Sequence, residues 1–158
     1  MKRYIPLALS IFVAFIFIQS TFFKFSGAEE TVIIFNTIAD WMISVGLPPF
    51  GAGVFAEFGA YGVGALELIA SALILIPTTR RLGASISLAV ISGAIFFHLF
   101  TPLGIDRVVD QAGNTDGGAL FFTAVAVWIS SVAVIVMNQH LTRAAENGGN
   151  SDAHIALA

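Results

Sequence analysis

The chain has 158 residues, 57% of them hydrophobic and 11% charged, and its formal net charge is −3. Its mean hydropathy is +0.90. A soluble domain carries about 25% charged residues, so the composition excludes a soluble globular enzyme and a disordered chain, and a pI near 5.4 leaves no basic surface for nucleic acid. There is no cysteine, which excludes a disulfide framework, a thiolate metal site, an iron–sulfur cluster and a dithiol relay.

The first apolar run covers residues 5–25, after Lys2 and Arg3. That pair resembles the start of a signal peptide, and Ser26-Gly27-Ala28 resembles a cleavage triplet. The apolar stretch nevertheless exceeds the usual 7–15 residues, so a retained membrane span is the expectation. Residues 26–45 read as an amphipathic helix on the outer membrane face. Ser26 and Glu29 have capping-box spacing, and Glu29 and Glu30 suit a first helical turn. Asn36, Asp40 and Ser44 recur on one side, with Trp41 expected at headgroup level. Gly46-Leu47-Pro48-Pro49 ends this helix and turns the chain.

Further apolar runs cover 54–76, 82–100 and 118–137, each long enough to cross a bilayer as a helix. Asp116 is placed to cap the last. The expected fold is all-α: an integral membrane four-helix bundle over 1–140, followed by a flexible polar tail, 141–158. Of the seven Lys and Arg residues, only Lys24 and Arg107 fall on the side opposite both termini. The termini are therefore expected in the cytoplasm.

Ionisable residues inside a span are costly and point by default to function. The candidates are Glu57, Glu67 and His98, with Lys24 at a rim. At about 1.5 Å per residue, Glu67 lies roughly 13 Å from the cytoplasmic end of its span and Glu57 roughly 28 Å. The same count puts His98 about 24 Å up and Lys24 near the outer end of the first span. Lys24, Glu57 and His98 are thus expected to share the outer rim, with Glu67 alone near mid-membrane. Glu57, Ala60, Gly64, Glu67 and Ser71 follow helical spacing and line one stripe, where small residues let a neighbouring helix approach. Gln19, Ser92 and Thr123 are candidates for a polar layer around Glu67.

Structural readings stand beside these. Glu67 could tie helices together as a neutral acid unless a cation is near. Glu57 could sit in water, His98 could cap its helix, and Lys24 could snorkel to headgroups or pair with Glu57 or His98. Arg80 and Arg81 serve as topology signals. One intramembrane histidine is too few for a bis-histidine haem in a monomer, whereas a homodimer would supply two.

The order of motifs resembles the DoxX family of small bacterial membrane proteins. The first span exits through Phe22-Phe23-Lys24-Phe25-Ser26-Gly27. Glu67-Leu68 lies in the second, Thr79, Arg81, Leu82 and Ala84 form the following turn, and the third ends Ala94-Ile95-Phe96-Phe97-His98. Asp116-Gly117-Gly118 precedes Leu120-Phe121, so the resemblance reaches to about Met137. Pro77 departs from the family, which often has glycine there. The resemblance implies a four-helix bundle in the bacterial inner membrane. It marks Lys24, Glu67, Arg81 and His98 as the recurring polar residues. It also implies association with respiratory redox chemistry, since some relatives are subunits of thiosulfate:quinone oxidoreductase. The chain has no cofactor motif of its own and no metal-ligand set. Three readings follow in order: a redox subunit with a bound quinone and a soluble redox partner, a non-catalytic scaffold for a soluble partner, and a proton-coupled carrier of a hydrophobic ligand.

Overall fold

The computed structural model describes residues 4–155, with side chains as far as Gln139. Five helices follow in order: α1 (Ile5–Phe25), α2 (Glu29–Ser44), α3 (Pro49–Leu75), α4 (Arg80–Phe100) and α5 (Ala119–Ile155). Four are long and apolar enough to cross a membrane: α1, α3, α4 and the Ala119–Gln139 part of α5. The chain is therefore a multi-pass, all-α membrane protein. Large apolar side chains such as Phe15, Phe58, Phe122 and Ile129 are exposed on its flanks, where lipid replaces water as the solvent.

The helix ends follow from local chemistry. Gly27 takes a left-handed conformation (φ 64°) just past α1, a conformation that costs glycine nothing. Ser26 belongs to this exit. Its hydroxyl donates to the Phe23 carbonyl at 3.1 Å, so the capping box with Glu29 does not form. Ala28 is the N-cap of α2 and makes no side-chain cap bond. α3 begins at Pro49, earlier than the run at 54, because a proline in the first turn already has the helical φ and loses no needed donor. Beyond its membrane part, α5 continues as helical backbone to Ile155 through most of the segment expected as a flexible tail. The side chains of that segment, and residues 156–158 altogether, lie outside the described residues.

α3 and α4 meet through a tight turn. A Cβ on Gly83 would lie 2.3 Å from the backbone nitrogen of Ile74, so only glycine permits this approach. Thr79 Oγ1 and Arg80 Nε donate to the carbonyls of Leu73 and Ile74, which the end of α3 would otherwise leave unpaired. The apolar core centres on Val13, Phe17, Ala70, Ile74, Ala84, Val127 and Val134.

The spans are not flush with one another. Thr21 Oγ1 donates to the Gly64 carbonyl at 3.3 Å. Helical rise puts Thr21 roughly 24 Å along α1 and Gly64 only about 17 Å from the end of α3. The last turn of α1 is thus level with the middle of α3, and the first half of α3 rises past it. α2 fills the space above. Phe35 stacks on Phe55 of α3, with ring centroids 5.2 Å apart, and reaches Gly59. Phe35, Ile38 and Ala39 of α2 are buried, while Asn36, Asp40 and Ser44 are exposed as their spacing indicates. Trp41 packs edge-on to Phe96 and Phe97 of α4.

Candidate functional site

The offset between α1 and α3 brings Lys24 down to Glu67. Nζ lies 3.0 and 3.1 Å from the two carboxylate oxygens. Ser20 and Thr21 each donate to Glu67 at 3.2 Å, and Lys24 also donates to Ser20. Both side chains of the ion pair are largely buried, 15% and 6% exposed. Lys24 therefore leaves the rim where residue counting had placed it. Glu67 is the buried member of its stripe together with Ala60, Gly64 and Ser71. Glu57 lies on the exposed side and forms no ion pair among the described residues.

His98 is 3% exposed at the far end of α4. Its Nδ1 is 2.6 Å from the carbonyl of Gly104, and its ring meets Phe121 edge-on. A carbonyl only accepts, so Nδ1 carries the proton of this bond. The other ring nitrogen, Nε2, is then the acceptor of the neutral imidazole. Gly104 is left-handed (φ 71°), and the bond holds the 101–118 loop against the bundle.

That loop supplies what the sequence reading missed. Arg107, counted there only for topology, is 2% exposed. It donates to Glu30 at the start of α2, and its Nε lies 3.5 Å from Asp116 Oδ2. Glu29 accepts from the backbone N–H of Gln111, a second tie between α2 and the loop. Burial lowers the Arg107 guanidinium from its ordinary value, and the Asp116 charge opposes that shift. Burial alone would raise the Asp116 carboxyl. Backbone N–H groups of Leu120 and Gly118, with the Arg107 charge, hold it below its ordinary value instead. The Leu120 bond, 3.0 Å long, also caps α5 as its spacing indicates. The only signal for Arg107 in sequence was a cation set in the apolar loop Ile105-Asp106-Arg107-Val108-Val109.

These groups meet around a part-enclosed cavity of about 600 Å³. Lys24 and Glu67 line it, as do His98, Arg107, Glu30 and Asp116. Most of the wall is apolar, with Phe17, Ile34, Phe97 and Leu103 among its members. It runs along α4 from Ala89 to His98, roughly 13 Å by helical rise. Volume and lining match the usual small-molecule pocket, about 300–1,000 Å³, apolar with a few placed polar groups. Gln19 and Thr123 also line it.

Among the described residues, none of Gln19, Ser92 and Thr123 hydrogen-bonds the Glu67 carboxylate. Thr123 Oγ1 donates to the Ala119 carbonyl of its own helix, and Ser92 Oγ donates to that of Leu88. Ser92 is exposed and accepts from Trp128. Gln19 is exposed as well. Arg81 is exposed in the first turn of α4 and does not line the cavity. Among the described residues no three His, Asp or Glu side chains gather to hold a metal ion.

The model of one protein family, DoxX, matches residues 5–99, more than half of the chain. The matched stretch stops short of the resemblance read to about Met137. It contains Lys24, Glu67, Arg81 and His98, whereas Arg107 and Asp116 fall beyond it. No curated protein and no solved structure matches the chain.

Proposed function

The chain belongs to the DoxX family, and on that premise we propose that it binds a membrane quinone and serves as the membrane subunit of an oxidoreductase assembly. The observation that carries this reading is the cavity itself. It combines apolar walls wide enough for a ring with a buried cation–carboxylate pair and two further polar side chains, His98 and Arg107.

These residues fit a quinone chemically. Phe17, Phe97 and Leu103 offer apolar surface to the ring and its tail. Arg107 has N–H groups to spare for a carbonyl oxygen. A bound quinone supplies an acceptor for two electrons and two protons. Glu67, held by Lys24, Ser20 and Thr21, keeps a proton-exchanging group at the wall without exposing it to lipid. In the neutral form of His98, Nε2 is a hydrogen-bond acceptor at the cavity wall. With no cysteine and no cofactor motif in the sequence, the electrons come from a soluble partner.

The test is ligand content. The protein is purified in mild detergent and extracted with organic solvent, and the extract is analysed by mass spectrometry. The expected result is a near-stoichiometric quinone that is lost from Glu67→Gln. Bulk lipid alone, in wild type and variant alike, would overturn the reading and favour a scaffold for a soluble partner.

A further inference from the structure

Arg107 is buried, yet its hydrogen bonding is incomplete. Nη2 donates to Glu30. Nε has Asp116 nearby but no aligned acceptor, and Nη1 donates to nothing among the described residues. A guanidinium has five N–H donors in a fixed plane, and a buried donor left unpaired is costly. Arg107, Glu30 and Asp116 all line the cavity, beside His98 and Leu103. The polar shortfall therefore adjoins the space that is otherwise apolar.

We propose that Arg107 builds a head-group site at this end of the cavity, where Nη1 donates to an uncharged carbonyl oxygen of an amphipathic ligand whose apolar part fills the remaining space. The proposal rests on reading the cavity as a ligand site, and it does not require that the ligand be a quinone. Charge selects the class. One guanidinium faces two carboxylates, Glu30 and Asp116, so the site already carries more negative than positive charge. A carboxylate head would bring a third negative group into a low-dielectric pocket, whereas a ketone, quinone, ester or amide oxygen brings an acceptor without charge. Specificity here comes from excluding anions as much as from the hydrogen bond itself.

The test uses the full chain in zwitterionic lipid nanodiscs at pH 8 and three probes of similar length: 2-tridecanone labelled with carbon-13 at the carbonyl, dodecanoate and tridecane. In the wild type the ketone should bind about tenfold tighter than tridecane, as one well-placed hydrogen bond allows. Dodecanoate should bind no better than tridecane. The bound ketone should show a downfield carbonyl resonance, a signature of hydrogen bonding that packing alone does not give. Arg107→Met should abolish both the preference and the shift. Glu30→Gln keeps the guanidinium and removes one negative charge, so dodecanoate should gain about tenfold, the reverse of simple damage. Should Arg107→Met fail to fold, the wild-type ranking and Glu30→Gln decide. Equal binding of ketone and tridecane would overturn the proposal and leave Nη1 to water, as would tighter dodecanoate binding in the wild type or no gain in Glu30→Gln. A short-tailed ubiquinone analogue in the same nanodiscs separates the two readings. Quinone bound equally by wild type and Arg107→Met sinks the head-group site alone. Arg107-dependent ketone binding without quinone binding sinks the quinone reading alone.

Discussion

Lys24 Nζ lies 3.0 Å from Glu67 Oε1, which ties the last turn of α1 to the middle of α3. Ser20 and Thr21, one turn before Lys24, donate to the same carboxylate. Three groups of α1 are thus committed to one buried acid on α3. Breaking a buried ion pair from one side leaves an uncompensated charge and costs about 3–5 kcal/mol, whereas replacing both partners by apolar groups is often far less costly. Lys24→Met and Glu67→Met should each lower the melting temperature in detergent sharply. The double variant should melt well above the value expected from adding the two losses. Additive losses would mean that the two side chains act independently, contrary to the geometry.

The α3–α4 turn makes a second prediction. A Cβ on Gly83 meets backbone atoms of Leu73 and Ile74, which cannot rotate away as a side chain can. Gly83→Ala should cost at least the 1–3 kcal/mol typical of overpacking, approximately. Gly62, in α3, has nothing near its would-be Cβ. Gly62→Ala should be neutral or mildly stabilising. Thermal melts of the two variants side by side check this, and equal effects would contradict the close approach.

How much of this was legible in the sequence varies by element. The four spans were legible because hydrocarbon demands long apolar helices, and nothing else in the chain has that form. The stripe Ala60, Gly64, Glu67 and Ser71 followed from helical phase alone. The Lys24–Glu67 pair was not legible, because counting depth along each span assumed that the spans start level. α3 overshoots α1, and only tertiary packing fixes that offset. Of Gln19, Ser92 and Thr123, the residues expected around Glu67, the two hydroxyls turn elsewhere for a local reason. A hydroxyl within a helix donates to the carbonyl four residues back, so neither has its proton free for Glu67. Arg107 sits in an aperiodic loop, where spacing gives no hint of burial.

The loop end should respond to acid. Asp116 is held below its ordinary value, so its ionised form favours the folded loop. A group with a depressed folded pKa contributes its stability in full above the unfolded value, about 3.9 for aspartate, and loses it as pH falls through the folded one. Protection of the Leu120 amide against hydrogen exchange should therefore hold at neutral pH and fall only below the ordinary aspartate range. Asp110 is also held low, chiefly by the Asn114 side chain, and titrates in the same direction. Asp116→Asn separates the two, since the amide oxygen still accepts from Leu120 but carries no charge. The acid step at Leu120 should vanish in that variant. A step that persists unchanged would assign it to another group.

His98 offers the sharpest local test, because its hydrogen bond dictates a tautomer. Gly104 contributes only an accepting oxygen, at 2.6 Å from Nδ1, so the neutral ring must keep its proton on Nδ1. Nε2 then has a free lone pair in a ring that borders the cavity. Nitrogen-15 NMR of histidine-labelled protein should give a protonated-type resonance for Nδ1 and an unprotonated-type resonance for Nε2 of the neutral form. His98→Phe retains an aromatic face for Phe121 but cannot hold the Gly104 carbonyl. It should increase hydrogen exchange across residues 103–109 while leaving the α1–α3 contact, which shares no residue with this bond, unchanged. Signals typical of the Nε2-protonated tautomer would mean that the loop is not anchored through His98. The cavity would then lose the fixed wall on which a head-group site at Arg107 depends.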